Sequence, residues 1–257
     1  MPQPPAKTQR GIQSVEVAGR LLQALAAARQ PMPLVALAAA AGLTSAQAHT
    51  YLVSLLRLGL IKRTPAEGHY EAGPLALRLG VARLSQQPAY RLAIAQAQHL
   101  SAATGCSVAV SLPTPEGPTI VHYAHAGKPL HLNLHVGSVM ALADTATGRT
   151  CCAFQPPQQW LPTWERQHPE ASRARIRQFQ AELEAIRQRG LERAIDAPSP
   201  GVSSLCMPLL GQDQVLSLLL TVIGPSGSID TGWRGAVARE LRACIASISS
   251  QLNEEAA

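Results

Sequence analysis

The decisive stretch reads Leu34-Val-Ala-Leu-Ala-Ala-Ala-Ala-Gly42-Leu-Thr44-Ser-Ala-Gln-Ala-His-Thr-Tyr-Leu-Val-Ser-Leu-Leu-Arg-Leu-Gly59. A short apolar helix over Leu34–Ala41 stops at Gly42, a residue free to take positive φ. Thr44 and Gln47 then form a T-x-x-Q capping box that opens a second helix. Ala48, Leu52, Leu55 and Leu56 make its inner stripe. Ser45, Ala46, His49, Thr50, Val53 and Arg57 face the other way, and Gly59 ends it.

An earlier helix carries Val17, Ala18, Leu21, Leu22 and Leu25 at helical spacing, with Ser14 as its expected N-cap. Pro31 and Pro33 break it. After Gly59, Leu60–Thr64 and His69–Glu71 read as two short strands joined through Pro65-Ala-Glu-Gly68. Helix, helix, glycine turn, helix, basic hairpin is the order of a winged helix-turn-helix, whose third helix fits a DNA major groove. The candidate DNA-binding residues are Ser45, Ala46, Gln47, His49, Thr50 and Arg57 on the helix, with Lys62 and Arg63 on the hairpin.

Charge agrees with that reading. Residues 1–80 hold eight Lys/Arg and three acids, a net of +5; the other 177 hold fourteen and thirteen, a net of +1. A basic small module beside a near-neutral larger one fits a polyanion binder with a second role. The chain has 257 residues, 46% of them hydrophobic, enough for one or two domains with a real core. No apolar run approaches membrane-spanning length, and Met1–Lys7 lacks a signal-peptide core, so the expected location is cytoplasmic, with no membrane partner. Five cysteines without a C-x-x-C fit a reducing compartment.

The remaining chain reads as α+β. Pro74–Gln86 and Ala89–Thr104 are expected helices. Ser107–Leu112, Thr119–Ala124 and Leu130–Val136 are expected strands. A helix begins near Thr147, with Asp144 a possible cap, and another spans Glu170–Arg189. Leu191–Ile195, Ser203–Leu210 and Val215–Ile223 are further strands, closed by a helix over Trp233–Leu252. The expected whole is a mixed sheet flanked by helices.

From Arg10 to Leu252 the sequence resembles the IclR family of bacterial transcription regulators. The resemblance rests on Gly11-Ile-Gln-Ser-Val-Glu16, Leu37-Ala-Ala-Ala-Ala-Gly-Leu43, His49, Leu58-Gly-Leu60 and Tyr70–Gly73. It continues through Thr104-Gly105, Thr145-Ala-Thr-Gly148, Ile186–Gly190, Pro200-Gly-Val202, Pro208 and Gly224-Pro225. Residues 1–9 are Pro/Gln-rich and read as a disordered tail; the resemblance implies a winged helix-turn-helix over 10–73, a linker helix over 74–88 and a GAF-like effector-binding domain over 89–257. It also implies a homodimer or homotetramer on a double-stranded DNA operator, (near-)palindromic by symmetry, under control of a small organic acid effector.

Departures from the family pattern set the details. Ser45, Ala46 and Thr50 stand where the family often has Lys, Ser/Thr and Arg, so the operator sequence should differ, with Gln47 able to pair adenine. Ser204 replaces a Cys, Ala194 an Asp, and Thr221-Val-Ile223 a more polar triplet. The implied effector site comprises Leu132, Met140, Ala146, Thr147, Gly148, Ser204, Thr221 and Ile223, more apolar than a site for a small oxo-acid. The expected pose puts the acid head on the Ala146–Thr147 amides at a helix start.

His122, His125, His131 and His135 read as a polar sheet face rather than a metal set, since no acidic or Cys ligand lies at short spacing. Cys151 and Cys152 point about 100° apart on a helix and read as small core residues. With no catalytic motif, no enzyme activity and no cofactor or metal is expected. The alternative function is a small-molecule-binding adaptor with weak or no DNA binding.

Overall fold

The computed structural model describes residues 11–28, 30–127, 134–211 and 213–255. The expected tail over 1–9, His131, Leu132 and most of the Leu130–Val136 strand lie outside them. The chain forms two compact units, one ending at Gln86 and the next beginning at Gln87.

In the first unit, α1 (Gln13–Ala28), α2 (Leu34–Ala40) and α3 (Ser45–Leu58) pack on a two-stranded sheet of β1 (Ile61–Arg63) and β2 (Tyr70–Ala72). Ser14 lies inside α1 rather than capping it. Leu21, Leu37, Leu52, Leu55, Ile61 and Tyr70 form the core, so each element gives up its apolar side to one centre. Gly42 takes φ +66° between α2 and α3, a left-handed turn that a side chain would strain. The capping box is present: Gln47 N donates to Thr44 Oγ1, and Gln47 Oε1 accepts from Thr44 N. The unit ends with α4 (Pro74–Ser85), a turn shorter than the expected 74–88 segment; it stops at Ser85, and Pro88 belongs to the next helix.

The second unit contains α5 (Pro88–Thr104), β3 (Ser107–Leu112), β4 (Thr119–Ala124), α6 (Ala146–Ala153), α7 (Pro157–Gln167), α8 (Arg173–Arg189), β5 (Glu192–Ala194), β6 (Val202–Leu210), β7 (Leu216–Pro225) and α9 (Ala236–Glu255). The five strands run in the order β4-β3-β7-β6-β5, and every pair is antiparallel, not mixed as expected. Of the expected strand ending at Val136, Leu134–Val136 is irregular chain and turn. Helix α7 escapes the sequence reading because it is polar and carries Pro162; Pro157 suits its first turn.

Strand alternation assigns the two sheet faces. Leu218, Leu220 and Val222 of β7, with Leu205 and Leu209 of β6, pack beneath α5 and α9. Thr221 and Cys206, partners in the β6–β7 register, lie on the opposite face with Leu219, toward α6. Beyond α6, Trp160, Trp164, Phe179 and Leu183 join α7 to α8.

Candidate functional site

The outward side of α3 is the first candidate surface. Ala46, Gln47, His49, Thr50 and Arg57 are exposed, and Ser45 is half-buried. Gln47 is less free than its exposure suggests, because its side-chain oxygen also accepts from Thr44 Oγ1. On the hairpin, Lys62 Nζ sits 3.1 Å from Glu71 Oε1. Arg63 donates to the Tyr70 hydroxyl at 2.7 Å and lies over its ring. Both expected hairpin cations are therefore held by neighbours, whereas Arg57 stands in the last turn of α3 with a clear outward face.

The second candidate is a cavity of about 260 Å³ on the α6 face of the sheet. Met140, Thr147, Ser204, Thr221 and Ile223 line it, as the sequence reading expected. Ala146 and Gly148 do not. Ala146 packs with Cys151, Ala194 and Cys206. Gly148 is small for another reason: a Cβ there would run into the Ala141 carbonyl, so the glycine lets α6 settle against the chain before it. Leu132 lies outside the described residues. Leu134, Thr145, Ala197, Pro198, Ser199 and Val202 also line the cavity and were not foreseen. The available signal was Pro198-Ser-Pro-Gly201, a turn-rich run just before a strand facing the same cavity.

The start of α6 is built with care. Thr145, not Asp144, is the N-cap; its Oγ1 accepts from Gly148 N at 2.9 Å and donates to Ala141 O. A helix leaves its first amides without internal acceptors, and this cap takes only the third. Thr147 Oγ1 meets Thr221 Oγ1 at 2.8 Å, tying α6 to the middle of the sheet. Arg149, one half-turn on, donates to Glu192, to Ala143 O and to Arg193 O, fixing α6 to β5 and to the segment leading into the helix. Below, Cys206 is buried and its thiol is pushed up to about 11, so it serves as packing rather than as a nucleophile.

No group of three His, Cys, Asp or Glu side chains among the described residues could hold a metal. His122 stands opposite Val110 on the strand pair, its Nε2 buried without a partner among the described residues, and burial lowers its pKa. No helix among the described residues is long and apolar enough to cross a membrane.

A helix-turn-helix with a β-hairpin, followed by a larger unit built on an antiparallel sheet with helices, is the architecture of a DNA-binding transcription regulator. The family comparisons make this specific. Residues 14–65 match the IclR helix-turn-helix domain, and residues 81–250 match the bacterial transcriptional regulator IclR C-terminal domain. The chain belongs to the IclR family of transcription regulators.

It is 28% identical to a glycerol operon regulatory protein of Streptomyces griseus, over 95% of this chain and 97% of the relative. The crystal structure of Pseudomonas aeruginosa HmgR shares 28% identity, with a TM-score of 0.60 over 94% of this chain and 98% of that one. An IclR homologue from Microbacterium hydrocarbonoxydans, crystallised with 4-hydroxybenzoate, shares 14% identity and a TM-score of 0.71, over 94% and 99% of the two chains. The last likeness is one of fold.

Proposed function

We propose that the chain is a ligand-controlled regulator that binds a (near-)palindromic operator as a dimer or tetramer, with a small organic acid in the α6 cavity setting operator occupancy. A two-fold assembly reads two half-sites, which is why operator symmetry follows protein symmetry. Arg57 and the hairpin supply phosphate contacts, and the outward residues of α3 read bases.

The observation that carries the ligand half is the make-up of the cavity. Thr147, Ser204 and Thr221 line the cavity with hydroxyls at the start of α6, a helix end whose first amides lack internal acceptors, beside Met140, Ile223, Val202 and Leu134. A carboxylate suits the amide end, and an apolar body suits the rest. A cavity of 260 Å³ exceeds the roughly 150 Å³ that encloses benzene, so a single-ring aromatic acid fits. The test is a footprint of the operator with candidate aromatic and aliphatic acids titrated in. Footprints on symmetric half-sites that change with an acid, and that stop changing in Thr147→Trp, support the reading. Unchanged footprints with every acid, or an unaltered response in Thr147→Trp, overturn it.

A further inference from the structure

One wall of the cavity is a loop, and a carboxylate helps to fasten it to the end of β7. Between β5 and β6 the chain runs over residues 195–201, and Ala197, Pro198 and Ser199 of that run line the cavity. Asp196 Oδ1 accepts from Gly201 N at 2.8 Å, closing the loop on itself. The same oxygen accepts from Ser226 Oγ at 2.7 Å, just beyond the end of β7. Asp196 N donates to Ser203 Oγ at 3.0 Å, and Ser203 Oγ lies 2.8 Å from Ser226 Oγ. Ser226 N donates to Gly201 O, so loop and strand end are joined from both sides. Asp196 sits at φ +52°, a conformation that Asp and Asn adopt more readily than most residues.

Asp196 is exposed, and its carboxylate joins the loop to the end of β7 rather than to the core of the sheet. What the bonds fix is the position of three cavity-lining residues. The hydrogen bonds from Ser226 and Gly201 keep the carboxyl below the ordinary carboxylate range, so the fastening is ionised near neutrality.

We propose that Asp196 is a positioning residue for the ligand cavity: its bonds to Ser226 and Gly201 clasp the 195–201 loop as a wall, and the clasp sets how fast and how large a molecule passes. This rests on the cavity being the effector site, and the experiment separates the two ideas. Ser204→Cys places a thiol on the cavity surface, while the five native cysteines are all buried. Its alkylation by iodoacetamide, and by a bulkier naphthyl iodoacetamide, is timed by mass spectrometry in the full-length protein.

Adding Asp196→Ala or Ser226→Ala should speed labelling about tenfold, the expected gain in loop opening on losing a hydrogen bond to a charged acceptor. The bulkier reagent should gain most. Asp196→Asn tolerates the same backbone and keeps one acceptor oxygen, so it should fall between. Far-ultraviolet dichroism and the thermal midpoint should stay near the parent's, which a merely structural role would not allow. Unchanged labelling rates and unchanged size preference in both Asp196→Ala and Ser226→Ala overturn the clasp. Protection of the introduced thiol by benzoate is a separate readout: its absence counts against the effector reading and leaves the clasp result standing.

Discussion

Thr147 on α6 and Thr221 on β7 share a hydrogen bond of 2.8 Å with both residues buried, so a group expected to meet a ligand is already spending a donor on the fold. Each residue therefore has two roles, and substitution tests of the cavity must separate them. Thr221→Val keeps the shape and strands the Thr147 hydroxyl. The expected cost is about 1–3 kcal/mol of stability, because an unpaired buried hydroxyl loses both its partner and water. Thr147→Val plus Thr221→Val removes both hydroxyls together and should cost less than the sum of the single changes. Chemical denaturation of the three variants checks this; simple additivity would mean the bond contributes little. A ligand response lost in the double variant at restored stability then belongs to the cavity itself.

The Arg149–Glu192 pair should be among the least replaceable contacts of the second unit. Their side chains are 17% and 11% exposed, and Glu192 also accepts from Arg189. Removing one partner leaves a nearly buried charge; Glu192→Ala should cost about 3 kcal/mol or more. Arg149→Met together with Glu192→Leu should recover much of that, since it leaves fewer charges uncompensated. Urea midpoints at constant slope are the measurement, and equal losses in the single and double variants would sink the argument.

The legible part of this molecule is the part governed by local rules. The capping box at Thr44 and Gln47, the turn at Gly42 and the hairpin of β1 and β2 follow from residue type and short spacing. In the second unit, the strand-length runs Ser203–Leu210 and Val215–Ile223 match β6 and β7 to within two residues at each end. What escaped was long-range. Gly148 looked like a ligand residue because it sits in a motif, yet its size answers to the Ala141 carbonyl. Asp144 looked like a cap, but Thr145 stands one residue nearer and also reaches Ala141 O. Ala197, Pro198 and Ser199 join the cavity only because β5 and β6 pair, a register that no window of sequence displays.

His122 should make stability fall on the acid side of neutrality. Its pKa is lowered from 6.5 by burial, while in the unfolded chain it returns to that ordinary value. Between the two values the unfolded state binds more protons, so stability rises with pH through that window. The contribution is fully present above pH 6.5 and is lost as pH falls below it. Thermal midpoints from pH 7.5 to 5 should drop less in His122→Leu than in the parent. An equal drop in both would place the acid sensitivity in other groups.

The last prediction concerns the hairpin, where one acidic residue holds back a DNA contact. Glu71 pairs with Lys62 across the two strands at 3.1 Å, and both are substantially solvated. A solvated pair is worth little, about 0.2–1 kcal/mol, so it cannot lock the lysine away from a phosphate. The carboxylate nevertheless repels the DNA backbone at short range. Glu71→Gln should therefore tighten operator binding by about 1.5- to 5-fold at low salt, with the gain shrinking as salt rises. Arg57→Ala acts in the opposite direction: with no such neighbour, it should weaken binding to all sequences and reduce the salt slope by about 1. Lys62→Ala should weaken binding more in the Glu71→Gln background than in the parent, because only there is the ammonium free of its partner. Fluorescence anisotropy with a labelled operator duplex, across a salt series, compares these four variants with the parent. Weaker binding by Glu71→Gln would show that the ion pair shapes the hairpin rather than competing with DNA.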